Sequence, residues 1–237
     1  MNLLIEYFKT SDYQRHSEYL TCIHENLENE CIDKIYVFIS DDSKLNFQSD
    51  KLEIIHREER PTYKDLFDFC NKNLKNQICI IANADIILDD TISTLKEVNL
   101  KDLFVALTRW EVFCENGEWC ITPFNNSSSQ DVWAFQSPIQ VTDEMNFHLG
   151  KPGCDNKIAK LMSERYDVRN PGLQIVSCHF HMSGYRTYNN NDRIPGPYLC
   201  LAPNDNIEQK TEYIEIDGFN EKGLAYIIQK REPQEDT

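Results

Sequence analysis

Ile78-Cys79-Ile80-Ile81-Ala82-Asn83-Ala84-Asp85-Ile86-Ile87-Leu88 is the stretch on which the fold turns. Its opening apolar run has strand length, too short for a helix, and suits a sheet buried on both faces. Polar residues then fall at alternate positions within an apolar continuation. A period of two projects Asn83 and Asp85 from one face of that strand end. A carboxylate in such surroundings is costly unless something pairs with it. A divalent cation bridging to a diphosphate is one such partner, because hard oxygen ligands suit Mg²⁺ or Mn²⁺. The plainer alternative is a strand-terminal turn in which Asn and Asp bond local backbone. Placement at the end of a fourth strand favours the site.

Three strands precede this one. Leu3 to Phe8, Ile35 to Ile39 and Leu52 to Ile55 are short apolar runs. Between the first two, Asp12 to Glu30 reads as a helix with Tyr13, Leu20, Ile23 and Leu27 on one face. Pro61 suits the first turn of a second helix, with Leu66, Phe67, Cys70 and Leu74 inward. This order predicts an α/β fold: a Rossmann-type, mostly parallel sheet flanked by helices, in a single domain. Ligands bind outside the carboxyl ends of such strands. Thr10, Asp41, Arg60, Tyr63 and Asn83 are thereby the candidates to hold a nucleotide through hydrogen bonds, charge and ring stacking.

Downstream, Leu103 to Leu107, Val132 to Phe135, Leu173 to Ser177 and Glu212 to Ile216 read as strands. Cys154 to Arg165 and Phe219 to Gln229 read as helices, and Thr187 to Pro197, rich in Asn, Gly and Pro, as a mobile loop. Residues 1–110 form the nucleotide half of this division, 111–230 the acceptor and catalytic half, and 231–237 a frayed tail.

The chain has 237 residues, 41% of them hydrophobic, enough to bury a core without staples. With 24 Lys and Arg against 39 Asp and Glu, its net charge of −15 disfavours nucleic acid and anionic membrane surfaces as partners. Nine scattered cysteines without a CxxC pair predict reduced thiols and a cytoplasmic setting. No basic, apolar leader follows Met1, so neither a signal peptide nor membrane insertion is expected.

Asn83-Ala84-Asp85 resembles the Asp-x-Asp motif of nucleotide-sugar-dependent glycosyltransferases with the GT-A fold, family-2-like in character. Ser129-Gln130-Asp131-Val132-Trp133-Ala134-Phe135 and Leu149-Gly150-Lys151-Pro152-Gly153-Cys154-Asp155-Asn156 resemble segments of a group of glycosyltransferase-like proteins. The resemblance implies transfer of a sugar from a nucleotide diphosphate sugar to a glycan or other hydroxyl acceptor. It also implies a divalent cation, Mn²⁺ or Mg²⁺, with Asp85 as its principal ligand and a later histidine as a second. His179 and His181 both offer themselves, and His181 is preferred because it opens the loop. Asn83 departs from the family's first acid, leaving the metal site one charge poorer.

Asp155, near the start of a helix, is either an N-cap or the general base of an inverting transfer. A helix terminus would lower its pKa. Asp131, Arg109 and Arg186 are candidates to contact the donor sugar, and Arg193 could join Arg186 over the diphosphate. The alternatives are a binding module for nucleotide sugars or glycans and, further off, a metal-dependent hydrolase with three protein ligands and an open position.

Overall fold

A computed structural model describes residues 1–186, 190–219 and 225–231. They run in the order β1 (Asn2–Tyr7), α1 (Tyr13–Glu28), β2 (Lys34–Ile39), β3 (Leu52–His56), α2 (Tyr63–Asn73), β4 (Ile78–Ala82) and β5 (Ile86–Leu88). Then follow β6 (Leu103–Leu107), β7 (Trp110–Glu115), β8 (Glu118–Pro123), β9 (Val132–Gln136), α3 (Cys154–Ser163) and β10 (Asp167–Arg169). The last elements are β11 (Ser177–His179), β12 (Tyr198–Leu201), β13 (Tyr213–Phe219) and β14 (Ala225–Arg231).

Seven strands form the main sheet in the order β10-β6-β9-β4-β1-β2-β3. All neighbouring pairs are parallel except those made by β9, which runs against both β4 and β6. The sheet therefore draws strands from both sides of residue 110.

Alternation along β1 explains the layers. Leu3, Ile5 and Tyr7 pack with Tyr19, Ile23 and Leu27 of α1, whereas Leu4 joins Leu66, Phe67 and Cys70 of α2 and Ile158 and Met162 of α3 on the other face. Asp12 caps α1 by accepting from Arg15 N at 2.7 Å. Thr62 and Asp65 form a capping box at α2, worth about 1 kcal/mol.

Several expectations are corrected. The extended backbone does not run through Asn83 and Asp85: β4 ends at Ala82, Ile86 N donates to Asn83 O across a turn, and β5 enters a second sheet, β5-β11-β7-β8. Leu173 to Ser177 is mostly turn, and the strand begins only at Ser177. The β7–β8 hairpin was unforeseen, although Asn116-Gly117, with φ of 53° and 84°, is the dipeptide that a tight hairpin turn favours.

Phe219 to Gln229 is not a helix where described. Ala225–Arg231 is a strand paired antiparallel with β13. Of the loop expected to be mobile, 187–189 lie outside the described residues. Its later part is tied down, Ile194 N donating to Pro152 O at 2.9 Å. The expected tail also lies outside them, apart from Arg231, which ends β14. No helix among the described residues is long and apolar enough to cross a membrane.

Candidate functional site

A cleft of about 510 Å³ opens where β1 and β4 end and the turn to β5 begins. Its walls collect five arginines and one lysine against four carboxylates, in a chain whose net charge is −15. Three of these arginines are paired with lining carboxylates, Arg15 with Asp85, Arg60 with Glu6 and Arg109 with Asp131, and Lys151 is paired with Asp192.

Helix α1 builds one side. Its buried face carries polar side chains beside the expected apolar ones, while Tyr13, expected inward, is 85% exposed. Asn26 Nδ2 donates to Ile86 O at 2.7 Å, and its Oδ1 accepts from Leu88 N at 2.9 Å; Asn29 Nδ2 donates to Leu88 O at 2.8 Å. These bonds satisfy β5 along its helix-facing edge and fix the turn that carries Asp85. One helical stretch earlier, Arg15 Nη2 pairs with Asp85 Oδ2 at 2.5 Å.

Asp85 is also faced by two imidazoles, His179 Nε2 at 3.2 Å and His181 Nδ1 at 3.9 Å from the same Oδ2. The three potential ligand atoms all lie within 4.8 Å of one another. His181 Nε2 sits 3.1 Å from Tyr185 O, and a carbonyl only accepts, so Nε2 carries the proton and Nδ1 turns a lone pair toward Asp85. Burial and the nearby Arg15 push His181 below the ordinary histidine range, which keeps that lone pair open. His179 stands between two carboxylates, with Nδ1 at 2.9 Å from Glu111 Oε2. Burial would lower its pKa, but the hydrogen bonds to Asp85 and Glu111 outweigh this and raise it to about 9. Burial likewise pushes Asp85 up, and His179 and Arg15 more than reverse it, holding the acid well below the usual carboxylate range.

The donor set fits a divalent cation once His179 gives up the Nε2 proton that it shares with Asp85. One carboxylate and two imidazoles then converge, and each imidazole has its other nitrogen fixed by an oxygen acceptor, the support that metal-bound histidines use.

The opposite wall comes from β9 and α3. Asp131, 7% exposed, accepts from Asn83 Nδ2 at 2.8 Å, Arg109 Nη1 at 3.0 Å and Ser129 Oγ at 3.3 Å. This explains the neutral residue at position 83. A carboxylate there would face Asp131 at hydrogen-bond distance, whereas the amide donates to it. Arg109 also binds Glu111 Oε1 at 2.7 Å and lies over the Phe124 ring, bracing both walls.

Asp155 lies beside Asp131 in the first turn of α3, but it does not cap the helix. Gly153, at φ of 78°, holds the N-cap position without a side-chain bond, and a Cβ there would come within 2.9 Å of the Tyr198 ring. Asp155 Oδ2 accepts from Gln130 N at 3.2 Å. Burial, reinforced by the charge of Asp131, outweighs the backbone donors and raises its pKa to about 7. The expected depression by the helix terminus is thus overturned: desolvation and a like charge win.

The sequence matches no family model and no curated protein sequence. Among solved structures, GalNAc-T7 with UDP, GalNAc and Mn²⁺ is similar at 7% identity over 82% of this chain and 46% of that one, with a TM-score of 0.49. The mannosyltransferase PcManGT from Pyrobaculum calidifontis, in complex with GDP-Man and Mn²⁺, is similar at 13% identity over 78% and 58%, with a TM-score of 0.45. A 4-diphosphocytidyl-2C-methyl-D-erythritol synthase from Anaerococcus prevotii is similar at 12% identity over 81% and 93%, with a TM-score of 0.42. At these scores no residue role passes from them to this chain.

Of the residues singled out from sequence, Thr10, Arg60, Asn83, Asp85, Arg109, Asp131, Asp155, His181 and Arg186 all line the cleft. Arg60 enters it paired with Glu6 through two bonds, of 2.6 and 2.9 Å, and donates to Leu149 O at 2.7 Å. Two candidates lie elsewhere. Tyr63 is fully buried, edge-on to Trp133 at 5.1 Å, so its ring has no face for a base. Asp41 is exposed and shapes its own loop, accepting from Lys9 N at 3.0 Å and Ser43 N at 2.9 Å.

Arg15 and Tyr19 line the cleft and were missed, and Glu18 stands behind them. The sequence did carry a signal. Arg15, Glu18, Cys22, Asn26 and Asn29 recur at three- and four-residue spacing beside the apolar stripe of α1, marking a polar stripe that must also be buried.

Proposed function

We propose that this chain is a GT-A-type glycosyltransferase, moving a sugar from a nucleotide diphosphate sugar to a hydroxyl acceptor with inversion. The observation that carries the reading is one cleft in which a cation-holding triad, a group of arginines and a carboxylate poised near neutrality meet at the carboxyl ends of parallel strands. Thr10, Arg60 and Asn83 would hold the nucleotide end, and Arg109, Asp131 and Arg186 the donor sugar.

Asp85 and His181, with His179, would hold the divalent cation, Mn²⁺ or Mg²⁺. When bound, the ion supplies positive charge against the leaving diphosphate. Arg186 and Arg193 add charge-assisted hydrogen bonds to phosphate oxygens as the bond from the anomeric carbon to phosphate oxygen breaks. Asp155, as a carboxylate, accepts the proton of the acceptor hydroxyl while that oxygen forms the new bond to the anomeric carbon. Raised to about 7, it is a far better base than an ordinary aspartate, while its carboxylate form is still populated near neutral pH.

The test is incubation with a panel of uridine and guanosine diphosphate sugars, Mn²⁺ and a mixture of glycan acceptors, with free nucleoside diphosphate measured. Release that depends on both donor and acceptor supports transfer. Tight donor binding with no release across the panel makes the chain a binding module instead. Binding is readable as a thermal shift, a ligand at 100 times its dissociation constant adding about 2.7 kcal/mol.

A second reading gains one specific observation. Asp85, His179 and His181 are the three protein ligands that a metal-dependent hydrolase requires. It is favoured only if Zn²⁺ supports hydrolysis of an ester or glycoside in the absence of any nucleotide.

A further inference from the structure

Asp85 Oδ2 has two claimants. It is the oxygen on which His179 Nε2 (3.2 Å) and His181 Nδ1 (3.9 Å) converge, and it also receives Arg15 Nη2 at 2.5 Å. Arg15 is no loose surface side chain. It is 7% exposed, its Nε donates to Tyr19 Oη at 3.1 Å, its Nη1 donates to Glu18 Oε2 at 2.9 Å, and its guanidinium lies 4.5 Å from the centre of the Tyr19 ring. Glu18 is anchored in turn by the backbone N of Ser183 at 2.6 Å. A unit positive charge is thus built into the place to which a divalent ion would be drawn, in surroundings that screen weakly.

Resting on the cation site of the reading above, we propose that Arg15 is the resident counter-charge of Asp85 and competes with the divalent ion for that carboxylate. The free chain then holds the ion weakly, and the fold does not depend on it, since Asp85 is already neutralised. For the ion to seat, Arg15 must yield Oδ2. Its planar fork is then released beside the cleft in which a diphosphate would lie, where Nη2 can donate to a phosphate oxygen. Arg15 is on this account a positioning residue that sets how tightly the ion is held, a role distinct from that of the ligands.

The experiment is calorimetric titration with Mn²⁺ alone, without nucleotide, on the wild type, Arg15→Gln, Arg15→Lys and Asp85→Asn. Arg15→Gln is expected to bind Mn²⁺ about tenfold tighter than the wild type, a coupling of ordinary size. Arg15→Lys, which keeps the charge without the fork, is expected to fall between them. A merely structural arginine predicts the opposite sign, because loosening Asp85 would weaken the ion. Equal or weaker binding by folded Arg15→Gln, with binding lost in Asp85→Asn, overturns the competition and leaves the cation site standing. Mn²⁺ binding that is indifferent to Asp85→Asn removes the site and this inference together.

Should Arg15→Gln not fold, the wild type alone decides. Titration with Mg²⁺ is expected to shift the Arg15 Nε–H resonance to saturation, and chelation to leave the melting temperature unchanged. An unmoved resonance while Mg²⁺ binds, or unfolding on chelation, overturns the proposal.

Discussion

Two aspartates on opposite walls of the same cleft are held in opposite states. Asp85 is buried among cations: Arg15 and His179 reach its carboxylate, so it is a fixed negative charge far below its ordinary pKa. Asp155 is packed beside another acid, Asp131, with a backbone donor from Gln130, and its pKa rises to about 7. Burial acts on both in the same direction, so the neighbours decide the outcome. A carboxylate that must hold a cation is surrounded by positive charge, and one that must take up a proton is deprived of it. Such a separation of environments is how acid and base roles are assigned in a shared site.

The contrast breaks most severely at Asp85. Asp85→Asn takes from Arg15 and His179 one of two carboxylate partners each, leaving Glu18 and Glu111, and the expected loss is about 1.5–3 kcal/mol of stability, read by urea unfolding. Divalent-ion affinity should fall by more than the roughly 10–100-fold that loss of a supporting residue costs. Asp155→Asn keeps the shape and should lower transfer by about 10²–10⁴-fold, with donor affinity and circular dichroism unchanged. Equal loss of donor affinity would mean that Asp155 binds and does not act as the base.

pH sharpens the comparison. The working form of Asp155 is the carboxylate, so the wild-type rate should climb with pH below about 7 and level off above it. Asp131→Asn removes the like charge and should move that limb to lower pH, whatever it does to the maximal rate. A limb that stays in place would assign the shift to burial alone. The smallest effect belongs to Asp41, the aspartate that the strand-end rule also selected. Asp41→Asn should cost no more than about 1 kcal/mol and leave turnover unaltered, since its bonds only shape a loop.

The strand-end rule found most of the cleft because parallel strands deliver their following residues to one rim, and apolar runs make those strands readable. It misjudged Tyr63 because the residue opens a helix whose first turn faces the core, where Trp133 and Phe147 enclose it. It missed Arg15 because that residue lies on a helix and not at a strand end. The turn after Ala82 was misread for a related reason. Alternating polarity marks a strand only when the pairing continues, and here the next strand pairs with β11 in a different sheet.

The amino-acid order alone determined the layered α/β architecture, since short apolar runs and periodic helices leave few other ways to bury that surface. It also set the acid at position 85, the amide at position 83 and the His-x-His pair. Only the tertiary structure decided what these groups are. Residues as far apart in the chain as 15, 85, 111 and 179 meet around one carboxylate, and 83, 109 and 131 around another. Charge state depends on neighbours a few ångströms away in space, and adjacency in space is what a linear sequence does not carry.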